Sequence, residues 1–178
     1  MHGIIFNQLR TYAQQKLGER GWETLLREAG LPLRVYLAFQ SYPDAEAEAL
    51  VSAASKLTST PVRALLEDFG EFIAPPLMKI YRASIHPGWT ILDIVINVER
   101  IHDRVRRDPH ATPPRLECKR INASTVHVTY SSPRKLCGVG IGFVRGLARE
   151  LGQRAEVHEH QCMYKGAQHC EFLVKQVA

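Results

Sequence analysis

The alternation from Thr125 to Tyr130 constrains this chain most. Val126, Val128 and Tyr130 alternate with Thr125, His127 and Thr129, the period-two pattern of a strand with one face in a core. The strand runs into Ser131-Ser132-Pro133-Arg134. Side chains two apart share a side, so Tyr130 and Ser132 point together. Two more extended residues would add Arg134. Pro133 donates no N–H and suits a strand exit. A phenol, a hydroxyl and a guanidinium then aim at one place. All three can donate to an anion, and Arg can grip a carboxylate with two parallel bonds. The plain alternative is a strand end with ordinary surface polar groups.

A strand needs partners. Leu116 to Ile121 supplies one through the turn Asn122-Ala123-Ser124, and Ala155–Tyr164 with His169–Lys175 forms a second hairpin around Lys165-Gly166-Ala167-Gln168. Between them, Arg134 to Leu151 reads as a helix closed by Gly152. The first part of the chain is helical. Ile4, Ile5, Leu9, Tyr12 and Ala13 sit at helical spacing before Gly18, and a second short helix covers Glu19 to Ala29. Asp44 is placed as the N-cap of a helix to Leu57. Thr60-Pro61 starts another, which Pro75-Pro76 should interrupt or end. The fold class is α+β: a helical lobe, then an antiparallel sheet of about four strands with packed helices.

With 178 residues, 45% apolar and 23% charged, the chain can bury the core of a single domain. No apolar run spans a membrane, and no targeting segment is evident, so a cytoplasmic protein is expected. The net charge of +5 does not imply nucleic-acid binding. The densest basic cluster, Arg104, Arg106 and Arg107, sits at a helix C-terminus, where cations suit the macrodipole.

That helix, Trp89 to Arg107, carries one apolar stripe: Ile91, Ile94, Val95, Val98, Ile101 and Val105. His102 lies on the stripe and points inward. Such a His is either a core residue with a backbone partner or a metal ligand. The four cysteines all follow residue 117, which does not suggest a disulfide scaffold. With the last hairpin centred on Gly166, Cys162 and Cys170 lie opposite each other, and His160 and His158 share the face of Cys162. Cys137 lies in the first turn of the preceding helix and could close over them. Three thiolates and an imidazole suit tetrahedral Zn²⁺. His160 is the expected fourth ligand, with His158 and His169 as alternatives. Buried free thiols, or a Cys162–Cys170 disulfide, would explain the pattern without metal. Cys118 stands apart.

Taken in order, His102, the loop Ala111-Thr112-Pro113-Pro114-Arg115-Leu116 and Tyr130-x-Ser132-x-Arg134 resemble the haem nitric oxide/oxygen binding family, H-NOX. Met1-His2-Gly3, and Ala53-Ala54-Ser55 before the Pro61 helix, are similar to it too, so the resemblance runs over the whole chain. It implies one haem b between a distal lobe, residues 1–62, and a proximal lobe, residues 63–178. His102 would be the sole protein ligand to iron. Pro114 would press on the porphyrin, and Tyr130, Ser132 and Arg134 would hold the propionates. Oxygen-binding members use a distal Tyr aided by Trp and Asn; alignment puts Val139, Leu9 and Ile73 at those places, with Ile5, Leu77 and Phe143 around them. The expectation is a sensor of nitric oxide that also takes carbon monoxide but not oxygen. It would have no catalysis of its own, signalling through release of His102. Stand-alone bacterial members regulate a histidine kinase or a cyclic-di-GMP enzyme. Some hold a structural zinc by three Cys and one His, similar to Cys137, Cys162, Cys170 and His160. The competing reading is a haem-free redox sensor built on that zinc-thiolate site. A hydrolase built on His158, His160 and Cys162 is disfavoured, because full Cys/His ligation leaves no open metal position.

Overall fold

Helical spacing in the first eighty residues becomes four helices in the computed structural model, which describes residues 1–107 and 111–177. Helix α1 (Gly3–Leu17) buries Phe6, Leu9, Tyr12 and Ala13 on one stripe and stops at Gly18, whose φ of 86° suits glycine. Helix α2 (Gly21–Glu28), helix α3 (Asp44–Thr58) and part of helix α4 (Val62–Ile80) complete a first apolar cluster. The Tyr36 ring stacks on Phe6 within it, with centroids 4.3 Å apart.

Three local expectations give way to tertiary structure. Asp44 is the first helical residue and not the cap; Pro43 holds the cap position. The Asp44 carboxylate is taken instead by the Met1 amine and by Arg134. Thr60 makes no cap bond, and Pro61 stands one place before α4. Pro75 and Pro76 do not end α4, which continues to Ile80. Packing outweighs the lost backbone bonds. Helix α4 lies directly against helix α6 (Cys137–Glu150) along glycines 70, 142 and 146. A Cβ on Gly142 would sit 1.8 Å from the carbonyl oxygen of Glu67, so only glycine permits this approach. Ala74, beside the two prolines, packs fully buried at Gly146.

The second half of the chain forms a four-stranded antiparallel sheet in the order β1-β2-β4-β3. Strand β1 (Arg115–Asn122) pairs with β2 (Thr125–Ser131), β2 with β4 (Cys170–Val177), and β4 with β3 (Arg154–Gln161). Val126, Val128 and Tyr130 face inward with Cys170, Phe172 and Val174. Helices α5 (Ile91–Val105) and α6 cover that face and complete a second cluster. Each fully buried Val or Phe there contributes about 1.5–3 kcal/mol. Helix α5 starts at a capping box: the Thr90 hydroxyl accepts from the Asp93 N–H at 3.3 Å, and the Asp93 carboxylate accepts from the Thr90 N–H at 2.9 Å. This reciprocal pair contributes about 1 kcal/mol. Helix α6 begins three residues later than its apolar pattern suggests, because Ser132 to Leu136 forms a turn with Lys135 at φ 53°. No helix among the described residues is long and apolar enough to cross a membrane.

Candidate functional site

Helix α5 changes character along its length. Ile91, Leu92, Ile94 and Val95 are buried, yet Val98, Ile101, His102 and Val105 on the same stripe are only half-buried. The reason is a cavity of about 620 Å³ between the two apolar clusters, within the size range of cofactor sites. Ile5, Leu9, Ile73, Leu77, Val139 and Phe143 line it beside the first cluster, and Val98, His102, Pro114, Val128 and Tyr130 line it from α5, the loop before β1 and the sheet. Arg134 and Asp44 stand among the polar groups that line it. Of the eleven residues named from the sequence for a cofactor, ten line this cavity and Ser132 does not. Ser132 is buried at a neighbouring pocket of about 470 Å³. Its Oγ accepts the Arg134 backbone N–H at 3.3 Å.

His102 is on the last turn of α5. Its Nδ1 lies 3.4 Å from Oε1 of Glu99, one turn earlier. Burial lowers its pKa against the pull of Glu99, which favours the neutral ring with one nitrogen lone pair free. The Glu99 carboxylate also accepts from the Leu116 N–H at 2.7 Å and from Arg106 at 2.9 Å. Its pKa falls although burial alone would raise it, because those donors favour the anion. Arg106 reaches on to the Pro114 carbonyl at 3.0 Å. Sequence reading missed Glu99 and Arg106. A carboxylate three residues before an inward His was the available signal, but its partners lie on β1 and the preceding loop.

Arg134 is nearly enclosed, its side chain 9% exposed. It donates to the Asp44 carboxylate at 3.2 Å and to the Thr112 hydroxyl at 2.9 Å, and also contacts the Thr112 carbonyl. Asp44 holds the Met1 amine as well, at 2.7 Å. Burial pushes the Tyr130 hydroxyl up to about 12, so it stays a neutral donor. The cavity therefore offers apolar walls for a large flat group, a neutral imidazole on one wall, and a guanidinium and a phenol for anionic substituents. Haem has this combination of an apolar macrocycle, a coordinating metal and two carboxylates, and the residues fit it.

The thiol cluster forms without histidine. Cys137, Cys162 and Cys170 place their sulfurs within 4.8 Å of one another, all buried. Sγ of Cys162 is 3.7 Å from Cys137 and 3.8 Å from Cys170. Burial raises the pKa values of Cys137 and Cys170. The shared face expected for His158 and His160 is not present. A β-bulge between Glu159 and Gln161 inserts His160 as an unpaired residue and reverses the facing of everything before it. His158 and His160 are exposed, with His158 against Glu156 at 3.2 Å and His169 against Glu171 at 2.8 Å. The fourth side of the cluster is taken by Arg63, whose Nη1 is 3.6 Å from Cys137 and 3.7 Å from Cys162. Three thiols that could serve as metal ligands are thus brought together, and no histidine among the described residues joins them. Cys118 is apart from this cluster and lines the large cavity.

Residues 2–160 match the model of the family described as Haem-NO-binding. Among solved structures, the chain superposes on an H-NOX protein from S. oneidensis, in the Fe(II)NO ligation state, with TM-score 0.92, 25% identity and full coverage of both chains. An H-NOX protein from K. algicida, Fe(II) unliganded, aligns with TM-score 0.87 at 20% identity over 100% of this chain and 97% of that one. A soluble guanylate cyclase of Caenorhabditis elegans, gcy-31, is 23% identical over 163 residues, which is 89% of this chain. The match spans 23% of that longer protein.

Proposed function

The chain belongs to the Haem-NO-binding family, a family of haem-based gas sensors, and from that premise we propose that it is a nitric oxide sensor using His102 as its switch. The observation that carries the reading is His102 at the end of α5, on the wall of an apolar cavity that has Arg134 and Tyr130 among its lining. Haem would supply a ferrous iron able to bind a diatomic gas. His102 would be its protein ligand through Nε2, and Pro114 would lean on the ring. Arg134 and Tyr130 would hold the carboxylates, and Ser132, outside the cavity, would steady the Arg134 backbone. The distal side chains Ile5, Leu9, Ile73, Leu77, Val139 and Phe143 contain no hydrogen-bond donor. That suits nitric oxide and carbon monoxide and disfavours oxygen, which needs a donor. Loss of the His102 bond on nitric oxide capture would free α5 to shift, the two-state change that a sensor requires. Residues 1–62 would act as the distal lobe and residues 63–178 as the proximal one, with α4 contributing to both clusters. The output would pass to a separate partner, a histidine kinase or cyclic-di-GMP enzyme, with no catalysis by this chain. A Soret band with one haem per chain in purified protein tests the reading; a chain that takes up no haem contradicts it.

Arg134→Ala is expected to weaken haem retention at least about tenfold, since a buried charge-assisted bond contributes about 1.5–3 kcal/mol. Asp44 would keep the Met1 amine as its partner, so the fold should survive. Haem content after gel filtration, read beside the melting temperature, checks this; unchanged content would remove Arg134 from the site.

The thiol cluster supports a second, smaller proposal. Cys137, Cys162 and Cys170 would hold a structural zinc, the fourth ligand coming from outside the histidines at positions 158, 160 and 169. Metal analysis without added zinc is expected to give about one zinc per chain, lost in Cys170→Ser. A metal-free protein with reduced thiols would leave the cluster as buried free cysteines beside Arg63.

A further inference from the structure

Three donors from three places in the chain converge on the Glu99 carboxylate. Nδ1 of His102 and the Leu116 N–H share Oε1, at 3.4 and 2.7 Å, and Arg106 donates to Oε2 at 2.9 Å. Arg106 sends its other terminal nitrogen to the Pro114 carbonyl at 3.0 Å. The result is a path from His102 through Glu99 and Arg106 to Pro114, whose backbone His102 also meets directly, with Leu116 as the tie to β1. We propose that Glu99 is a positioning residue that orients His102 and couples its movement to Pro114 and the start of β1. The proposal rests on the reading of His102 as iron ligand and extends it.

Each link has a physical reason. A ring that gives its Nδ1–H to a carboxylate keeps its lone pair on Nε2, and the acceptor's charge makes that nitrogen a stronger ligand. Arg106 spans three acceptors, Glu99, Asp103 and the Pro114 carbonyl, because its guanidinium presents donors in a rigid fork. The Leu116 N–H has its acceptor in Glu99, so removing the carboxylate leaves a half-buried donor unmet. An ordinary surface ion pair would join two mobile side chains. Here one carboxylate joins a candidate ligand on α5 to backbone groups on either side of Arg115. A displacement of α5 at His102 therefore pulls on residues 114–116 directly.

The test uses haem-loaded protein with Glu99→Gln, which preserves shape and hydrogen bonding to Leu116 but removes the charge. Resonance Raman of the ferrous form is expected to show the iron–histidine band at lower frequency in E99Q than in wild type. Haem transfer to a scavenger should quicken about 10- to 100-fold, the usual effect of losing such an outer partner. Pro114→Ala should alter haem loss in wild type and alter it less in E99Q, because the route through Glu99 and Arg106 is cut while the direct contact of His102 with the Pro114 backbone remains. Arg106→Lys, which keeps the charge but not the two-ended reach, should blunt the Pro114→Ala effect in the same way. An unshifted band in E99Q, or additive effects of E99Q and P114A, would overturn the proposal while leaving His102 as ligand. A wild-type protein without any iron–histidine band would overturn the His102 assignment, and this proposal with it.

Discussion

Replacing His102 with glycine is expected to strip most of the haem from the protein, and added imidazole is expected to restore it. The ring lies on the wall of the cavity, half-buried and biased towards its neutral form. Deleting it removes the proposed iron ligand itself, so the loss should exceed the roughly 10–100-fold cost of deleting a residue that only supports a ligand. The space left behind matches imidazole in shape, and Glu99 would still offer an acceptor for its N–H. The apolar walls and Arg134 are untouched, so the fold should hold. Haem per chain, measured by absorbance with and without imidazole, checks the outcome. Full haem retention in H102G would move the ligand elsewhere.

The second large effect concerns the distal wall. Val139→Tyr is expected to turn a protein that refuses oxygen into one that holds it. Val139 is on the first turn of α6 and lines the cavity, among side chains that carry no donor. A phenol there would supply one hydrogen bond to a bound oxygen bearing partial negative charge. Such a bond contributes about 1.5–3 kcal/mol, which corresponds to roughly a 10- to 150-fold slower release. Stopped-flow oxygen release from the ferrous variant, beside wild type in air, measures it. A variant that remains unliganded in air, with haem and fold intact, would count against the placement of Val139 on the gas side.

Much of this was legible in the sequence where the cause is local. The alternation from Thr125 to Tyr130 is a strand because one face meets the core, whereas its pairing with Cys170 and Phe172 on β4 is a long-range contact that the sequence did not display. The stripe on α5 is visible at helical spacing, and so is His102 within it. Non-local causes were not visible. Asp44 looks like a helix cap, but its charge is drawn to Arg134, ninety residues away. Pro75 and Pro76 look like a helix end, but the glycine contacts with α6 hold the helix through them. The histidines near Cys162 were misplaced by a single inserted residue, since a bulge at His160 reverses facing and no residue type announces it. The distal wall was named through family resemblance, because apolar side chains at scattered positions carry no signal of a shared cavity.

The central claim is that this chain binds haem through His102 and discriminates nitric oxide from oxygen. The most direct measurement is the absorption spectrum of the reduced protein, first in air and then under nitric oxide. The predicted result is a ferrous spectrum unchanged by air, followed under nitric oxide by conversion to the five-coordinate form in which His102 no longer contacts the iron. A stable oxygen complex in air would contradict the reading of the pocket, and a six-coordinate spectrum under nitric oxide would contradict the release of His102.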